Sequence, residues 1–379
     1  MIVAGEASSA LYARRLLEHW RDSGVRVKAF GVGSRDMEAL GFDIIGRSED
    51  MAVVGIVEVL KHYKEIKNVF EGLVAAVKER RPQVLLLLDY PDFNLRLAKR
   101  LKPLGIPIVY YISPQVWAWR KSRIHEIKKC VSKMLVVLPF EKEFYARHGV
   151  DVEFVGHPLL DELSSELFDP ALRAQFRSRY GVQNDEIWVG IMPGSRKSEL
   201  RHHLKTQISV CESLYERHPQ LKFALLVAPT FSKEEVRAQL PDLSLPLTLL
   251  SGEPLSMVRL MDVILCASGT ATLVVGLLKK PMVIMYKMNA LTAWIARWIV
   301  KGTAHFGLIN LILGKRVVPE LFQSEATVDR LSQEVLKFVE DKNYRQSVVD
   351  ELTKTSKLLG ERGATSRVAN ILTPMLRRT

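Results

Sequence analysis

Val84-Leu85-Leu86-Leu87-Leu88-Asp89-Tyr90-Pro91-Asp92-Phe93-Asn94 carries the fold class in one short stretch. Five apolar residues in a row, with no polar alternation, suit a strand buried on both faces, as in a parallel sheet covered by helices. The run halts at a carboxylate, and residues 93–101 resume with a helical period. A strand passing straight into a helix is the βα unit, and open α/β sheets bind ligands at the carboxyl ends of their strands. Asp89 therefore stands where a general base would stand. Residue types alone equally allow a loop carboxylate that satisfies backbone N–H groups. Asp92, just ahead of the helical period, reads as an N-cap.

The same unit repeats outward. Apolar runs of strand length occupy residues 106–112 and 134–138, then 188–192, 223–228, 263–267 and 282–286, with helix-period segments between them. Residues 159–185, rich in Asp, Glu, Ser and Arg and holding Pro170, interrupt the rhythm and mark a change of domain. A helical segment over residues 328–376 closes the chain. The expected architecture is α/β, with two Rossmann-like domains facing one another across a cleft and a helical C-terminal segment. Its expected domains are residues 1–163 and 164–345, with residues 346–379 packing back on the first domain or exchanged in a dimer. The βα count alone equally suits a periplasmic-type binding protein.

Composition narrows the ligand class. Among 379 residues, 54 Lys and Arg face 42 Asp and Glu, a net charge of +12 that favours phosphorylated ligands, anionic lipid surfaces or nucleic acid. The basic residues are scattered and no RNA-binding aromatic motif accompanies them, which argues against nucleic acid. Cys130, Cys211 and Cys266 lack any metal-ligand or CxxC spacing and read as reduced core thiols. The opening Met1-Ile2-Val3-Ala4-Gly5 is strand-like and unlike a signal peptide, and the uncharged run at residues 263–278 is shorter than a membrane span. Two apolar stripes, residues 56–77 and 290–301, suit either the core or a bilayer interface.

Three further stretches carry chemistry. Pro193-Gly194-Ser195-Arg196 follows the run at 188–192, where Gly194 permits close backbone approach and Arg196 can fork two phosphate oxygens. Ser268-Gly269-Thr270-Ala271-Thr272 follows the run at 263–267, a small-residue turn whose N–H groups open a helix and attract an anion. Together they suit a nucleotide diphosphate. Tyr111-Ile112-Ser113-Pro114-Gln115-Val116-Trp117-Ala118-Trp119-Arg120 ends another buried strand, with Trp117, Trp119 and Arg120 able to divide between core and ligand.

These motifs, with Gly5-Glu6-Ala7-Ser8, residues 55–60, Leu138-Pro139-Phe140-Glu141, Gly156-His157-Pro158 and Pro319-Glu320-Leu321, resemble the lipid-A-disaccharide synthase family nearly end to end. The resemblance implies the GT-B fold and Asp89 as base. It also implies Gly194, Ser195, Arg196, Ser268, Gly269, Thr270, Thr272 and Asn310 as donor-binding residues. By the same resemblance the substrates are UDP-2,3-diacylglucosamine and 2,3-diacylglucosamine 1-phosphate, joined as a β-1,6 disaccharide with release of UDP. The implied protein is a homodimer, peripheral on the cytoplasmic face of the inner membrane. No Asp-x-Asp occurs, so no metal or other cofactor is expected. The chain departs from the family's pattern at Ser9, Ala10, Gln115, Val274, Ile309 and Lys315, and Val274 replaces the glutamate expected at the ribose. The alternatives are a related GT-B transferase of UDP-N-acetylglucosamine, a 2-epimerase, or a catalytically weak homologue that binds lipid or nucleotide.

Overall fold

The computed structural model describes residues 1–51, 63–116, 123–288 and 305–376. The chain forms two compact units, Met1–Asp161 with Leu359–Thr379, and Glu162–Leu358. In the first, β1 (Ile2–Ala4), β2 (Phe30–Gly33), β3 (Asp43–Arg47), β4 (Leu85–Leu88), β5 (Ile108–Tyr111), β6 (Lys133–Val136) and β7 (Val152–Phe154) form one sheet in the order β3-β2-β1-β4-β5-β6-β7. Each pairing is parallel, as in Ile2 opposite Leu86 and Leu85 opposite Ile108. The leucine run of β4 is buried throughout because a strand lies on either side and helices cover both faces.

In the second unit, β8 (Trp188–Met192), β9 (Lys222–Leu226), β10 (Leu247–Leu250), β11 (Val263–Ala267), β12 (Met282–Tyr286) and β13 (Glu320–Phe322) run parallel in the order β10-β9-β8-β11-β12-β13. Both orders reverse direction once, between β1 and β4 and between β8 and β11. Such a reversal splays the neighbouring loops apart and makes a crevice at the carboxyl ends of the strands.

Residues 328–376 form three helices, Val328–Glu340, Lys342–Leu358 and Ala364–Leu376. The boundary expected after residue 345 falls instead after Leu358, because Val348, Leu352 and Thr355 are buried within the second unit. Only the last helix returns to the first unit, packing on Ala7–Asp22. Asp161 fixes its start, accepting the N–H groups of Gly363 at 2.6 Å and Thr365 at 3.0 Å and the Thr365 hydroxyl at 3.0 Å. Arg367 Nε donates to the Val155 carbonyl at 2.8 Å, and Trp20 Nε1 donates to Thr373 Oγ1 at 3.0 Å. The Gly156-His157-Pro158 motif belongs to this clasp. Gly156, at φ +79°, leaves room for Arg367, since an added Cβ would come within 2.6 Å of Nη2. Buried His157 is pulled down to about 3 by desolvation and accepts the Leu159 N–H on Nδ1. Asp161→Ala should destabilise the protein by about 1.5–3 kcal/mol, the range for hydrogen bonds to a charged group. Hydrogen exchange should accelerate first in Ala364–Leu376, and unchanged protection there would contradict the clasp.

The described part of the 56–77 stripe faces the core. Leu73, Val74 and Val77 are buried, and Ile66, Val69 and Phe70 pack against the same cluster. Residues 56–62 and the stripe at 290–301 lie outside the described residues. All three cysteines are free and buried. No helix among the described residues is long and apolar enough to cross a membrane.

Candidate functional site

In the first unit the loops after β1, β4 and β5 meet at the sheet's reversal. Asp89 and Tyr90 both take left-handed backbone conformations, φ +46° and +47°, so the strand turns within two residues into the helix Pro91–Leu101. Such conformations cost of order 1–3 kcal/mol each and persist only where the surroundings over-determine them. The Asp89 carbonyl accepts the Tyr110 hydroxyl at 2.5 Å and Asn94 Nδ2 at 2.8 Å, while its N–H donates to the Tyr111 carbonyl at 3.1 Å. With its peptide pinned on three sides, the partly exposed carboxylate is held at the mouth of the sheet. Its charge adds to burial in pushing the Tyr110 hydroxyl well above the ordinary range. Asp92 does not cap the helix. Tyr90 is the N-cap by position and Pro91 fills the first helical place, so Asp92 stands exposed in the first turn, paired with Arg123.

Neighbouring loops are locked to this one. The Tyr90 ring covers Gly5, where a Cβ would meet Cδ1 at 2.8 Å, and its hydroxyl donates to the Met51 carbonyl at 2.8 Å. Burial and the Glu6 charge push that hydroxyl up to about 12. Ser9, one of the departures, is buried and ties the turn in both directions, donating to the Glu6 carbonyl at 2.8 Å and accepting the Glu6 N–H at 3.0 Å. Beyond β5, Ile112 is also left-handed at φ +64°, and Ser113 Oγ lies 2.7 Å from the buried Tyr145 hydroxyl. The Leu138-Pro139-Phe140-Glu141 motif starts the helix that carries Tyr145, with Glu141 accepting the Leu138 N–H at 3.1 Å. Trp117, Trp119 and Arg120 lie outside the described residues.

In the second unit the two small-residue loops follow β8 and β11, the strands that flank its reversal. Gly194 is needed twice over, by its φ of +122° and because a Cβ would come within 2.4 Å of Glu199 Oε2. That glutamate, absent from the expected site, organises the loop. Its Oε2 accepts the N–H groups of Ser195 at 3.0 Å and Arg196 at 3.3 Å, and its Oε1 accepts Arg196 Nη1 at 3.2 Å. The sequence holds the signal, since Glu199, His203 and Gln207 recur every four residues on one face of the helix Lys197–Arg217. His203, buried and held below its ordinary pKa by desolvation, lies 2.7 Å from the Pro193 carbonyl and 2.9 Å from that of Lys287. Gln207 donates to the carbonyls of Met192 and Leu265, each at 3.2 Å. One helix face thus ties together the exits of β8, β11 and β12. Glu199→Gln should cost about 1.5–3 kcal/mol of stability, the range for hydrogen bonds to a charged group. It should also speed amide exchange at Ser195 and Arg196, and unchanged exchange there would remove Glu199 from this role.

At the β11 loop, Ser268 Oγ donates to the Phe306 carbonyl at 3.2 Å, while Gly269 and Thr270 are exposed and Gly269 has φ +150°. Buried Thr272 donates to the Gly269 carbonyl at 2.8 Å, so its hydroxyl holds the turn rather than facing outward. Asn310 also differs from the expectation. It is fully buried, and Nδ2 donates to the Val318 carbonyl at 2.9 Å and to Glu320 Oε1 at 2.5 Å, while Oδ1 accepts the N–H groups of Val317 and Val318. All four of its hydrogen-bonding positions orient the segment before β13, and Glu320 in turn accepts the Phe306 N–H at 2.7 Å. Among the described residues, no group of three or more His, Cys, Asp or Glu could hold a metal ion.

Solved structures share this fold. The UDP-GlcNAc 2-epimerase of Neisseria meningitidis, bound to UDP-GlcNAc, superposes with a TM-score of 0.67 over 98% of this chain and 99% of its own, at 12% identity. A glycosyltransferase of kitacinnamycin gives 0.64 over 99% and 98%, at 15% identity. Sequence relatives are far closer. The lipid-A-disaccharide synthase of Myxococcus xanthus is 37% identical over 99% of this chain and 97% of its own length. That of Anaeromyxobacter dehalogenans strain 2CP-1 is 39% identical over 100% and 97%. A family model described as lipid-A-disaccharide synthetase matches residues 1–372. With its strand order, its pinned Asp89 turn and its paired small-residue loops, the chain belongs to the lipid-A-disaccharide synthetase family.

Proposed function

We propose that the chain transfers 2,3-diacylglucosamine from its UDP ester to 2,3-diacylglucosamine 1-phosphate. The acceptor 6-hydroxyl oxygen attacks C1 of the donor sugar on the face opposite the diphosphate and passes its proton to Asp89. The C1–oxygen bond breaks with its electron pair leaving on UDP, and one displacement inverts C1. The observation that supports this most is the placement of the Gly194–Arg196 and Ser268–Thr270 loops on the two strands flanking the reversal of one sheet. A diphosphate needs N–H groups and a guanidinium there, and Arg196 with the amides of the Ser268–Thr270 loop does what a divalent ion does in other transferases. Family membership supports an acylated glucosamine as the sugar. The net charge of +12 supports docking on an anionic leaflet, where acylated substrates reside.

Purified protein given the UDP-sugar alone should leave it intact, and UDP should appear only when the acylated 1-phosphate is added. UDP release or a new epimer without the acceptor would favour the epimerase reading. Val274, on the helix Ala271–Leu277, offers a second test because the family's glutamate there is missing. Val274→Glu should tighten UDP binding by about 1–3 kcal/mol if the carboxylate reaches the ribose hydroxyls. Calorimetry showing no gain would mean that this chain reads the ribose through other groups.

A further inference from the structure

At the amino ends of the second sheet, opposite the edge that bears the Arg196 and Ser268 loops, a cavity of about 300 Å³ opens beside the entries to β8, β11 and β12 and the helix Lys342–Leu358. Three acids line it, and two of them are engaged. Asp262 accepts Arg173 Nη2 at 2.7 Å, Arg177 Nη1 at 2.8 Å and the Trp188 N–H at 2.9 Å. Glu186 accepts the Gln183 N–H at 2.7 Å and pairs with Lys222 at 3.4 Å. The third, Asp185, is exposed to solvent. Of the cations on the wall, Lys279 is turned toward the Phe168 ring, 5.4 Å from its centroid. Lys280 and Arg345 remain, both partly buried and neither paired with a described carboxylate.

An ammonium drawn out of water among Arg173, Arg177 and Arg259, with Asp262 already claimed, has two ways to relieve its charge. It loses its proton or it takes an anion. Burial first, and the Arg173 charge next, pull Lys280 down to about 7. We propose that this cavity is an anion site for a phosphate group, with Lys280 as its point charge, Arg345 as its fork and Arg173 as the fixed charge behind them. The volume is at the low end for ligand sites and suits a free phosphate or a phosphate monoester head rather than a whole nucleotide. The site lies apart from the donor loops and does not depend on their reading.

The test is trace acetylation of the full, folded chain across a pH series, read at Lys280 by mass spectrometry. It is run in chloride, with added inorganic phosphate, and with phosphatidylcholine vesicles containing phosphatidic acid. A bound anion favours the ammonium, so the apparent pKa of Lys280 must rise, and a rise of one unit lowers its labelling about tenfold below neutral pH. Protection by inorganic phosphate assigns a soluble ligand, and protection by the vesicles alone assigns a lipid head group. Arg345→Met should weaken either protection about tenfold. Lys280 labelling that neither phosphate source changes, or protection that survives Arg345→Met intact, would overturn the site.

Discussion

Asp89→Asn is expected to lower turnover by about two to four orders of magnitude, the usual contribution of a positioned general base. Asparagine is the informative replacement because Asp89 sits at φ +46°, a conformation that Asn tolerates and alanine resists. Alanine would add about 1–2 kcal/mol of backbone strain, which confuses stability with chemistry. The amide keeps the turn and removes only the proton acceptor. Even so, the two effects separate by size, since a hundredfold to ten-thousandfold loss is about 3–5.5 kcal/mol of barrier. Binding of UDP should barely change, because the proposed diphosphate loops lie in the other unit. Turnover close to wild type would move the base to Glu6 or Asp92.

Arg196→Ala should weaken UDP binding, and Arg196→Lys should restore it only in part. The guanidinium presents two parallel donors to phosphate oxygens, whereas an ammonium offers a point charge. Loss of a charged hydrogen bond costs about 1.5–3 kcal/mol, or roughly ten- to more than a hundredfold in affinity. Glu199 sharpens the expectation, because its carboxylate already holds Arg196 Nη1 at 3.2 Å and reduces the freedom lost when the side chain meets a ligand. EDTA should leave activity unchanged. Activity lost on chelation and restored by magnesium would contradict the metal-free account.

The strands legible in the sequence were those buried on both faces. The leucine run of β4, the Val263–Ala267 run of β11 and their neighbours have no polar alternation because helices cover both sides. Strands β3, β7, β10 and β13 escaped, being only partly buried and carrying Asp43, Glu153, Thr248 or Glu320. Each of these lies at the edge of its sheet, with no strand neighbour on its outer side among the described residues. Strand β2 escaped for a different reason, since two of its four residues are glycine.

For the candidate site, the loop turns were legible because a chain that turns sharply needs glycine and small residues. Less legible was which side chains support them. Asn310 and Thr272 look like ligand groups in sequence, yet burial turns both inward, onto backbone carbonyls and Glu320. Glu199 looks like an ordinary first-turn acid, yet the positive φ of Gly194 brings the loop down upon it. Side-chain direction depends on packing that residue type does not encode.

The most direct test of the central claim is the product itself. The full chain should be incubated in EDTA with UDP-2,3-diacylglucosamine and 2,3-diacylglucosamine 1-phosphate, and the anomeric linkage assigned by proton and carbon NMR. The account predicts equal amounts of UDP and a disaccharide 1-phosphate joined β-1,6. An α linkage, a sugar released to water, or no disaccharide from folded protein that binds UDP would contradict it.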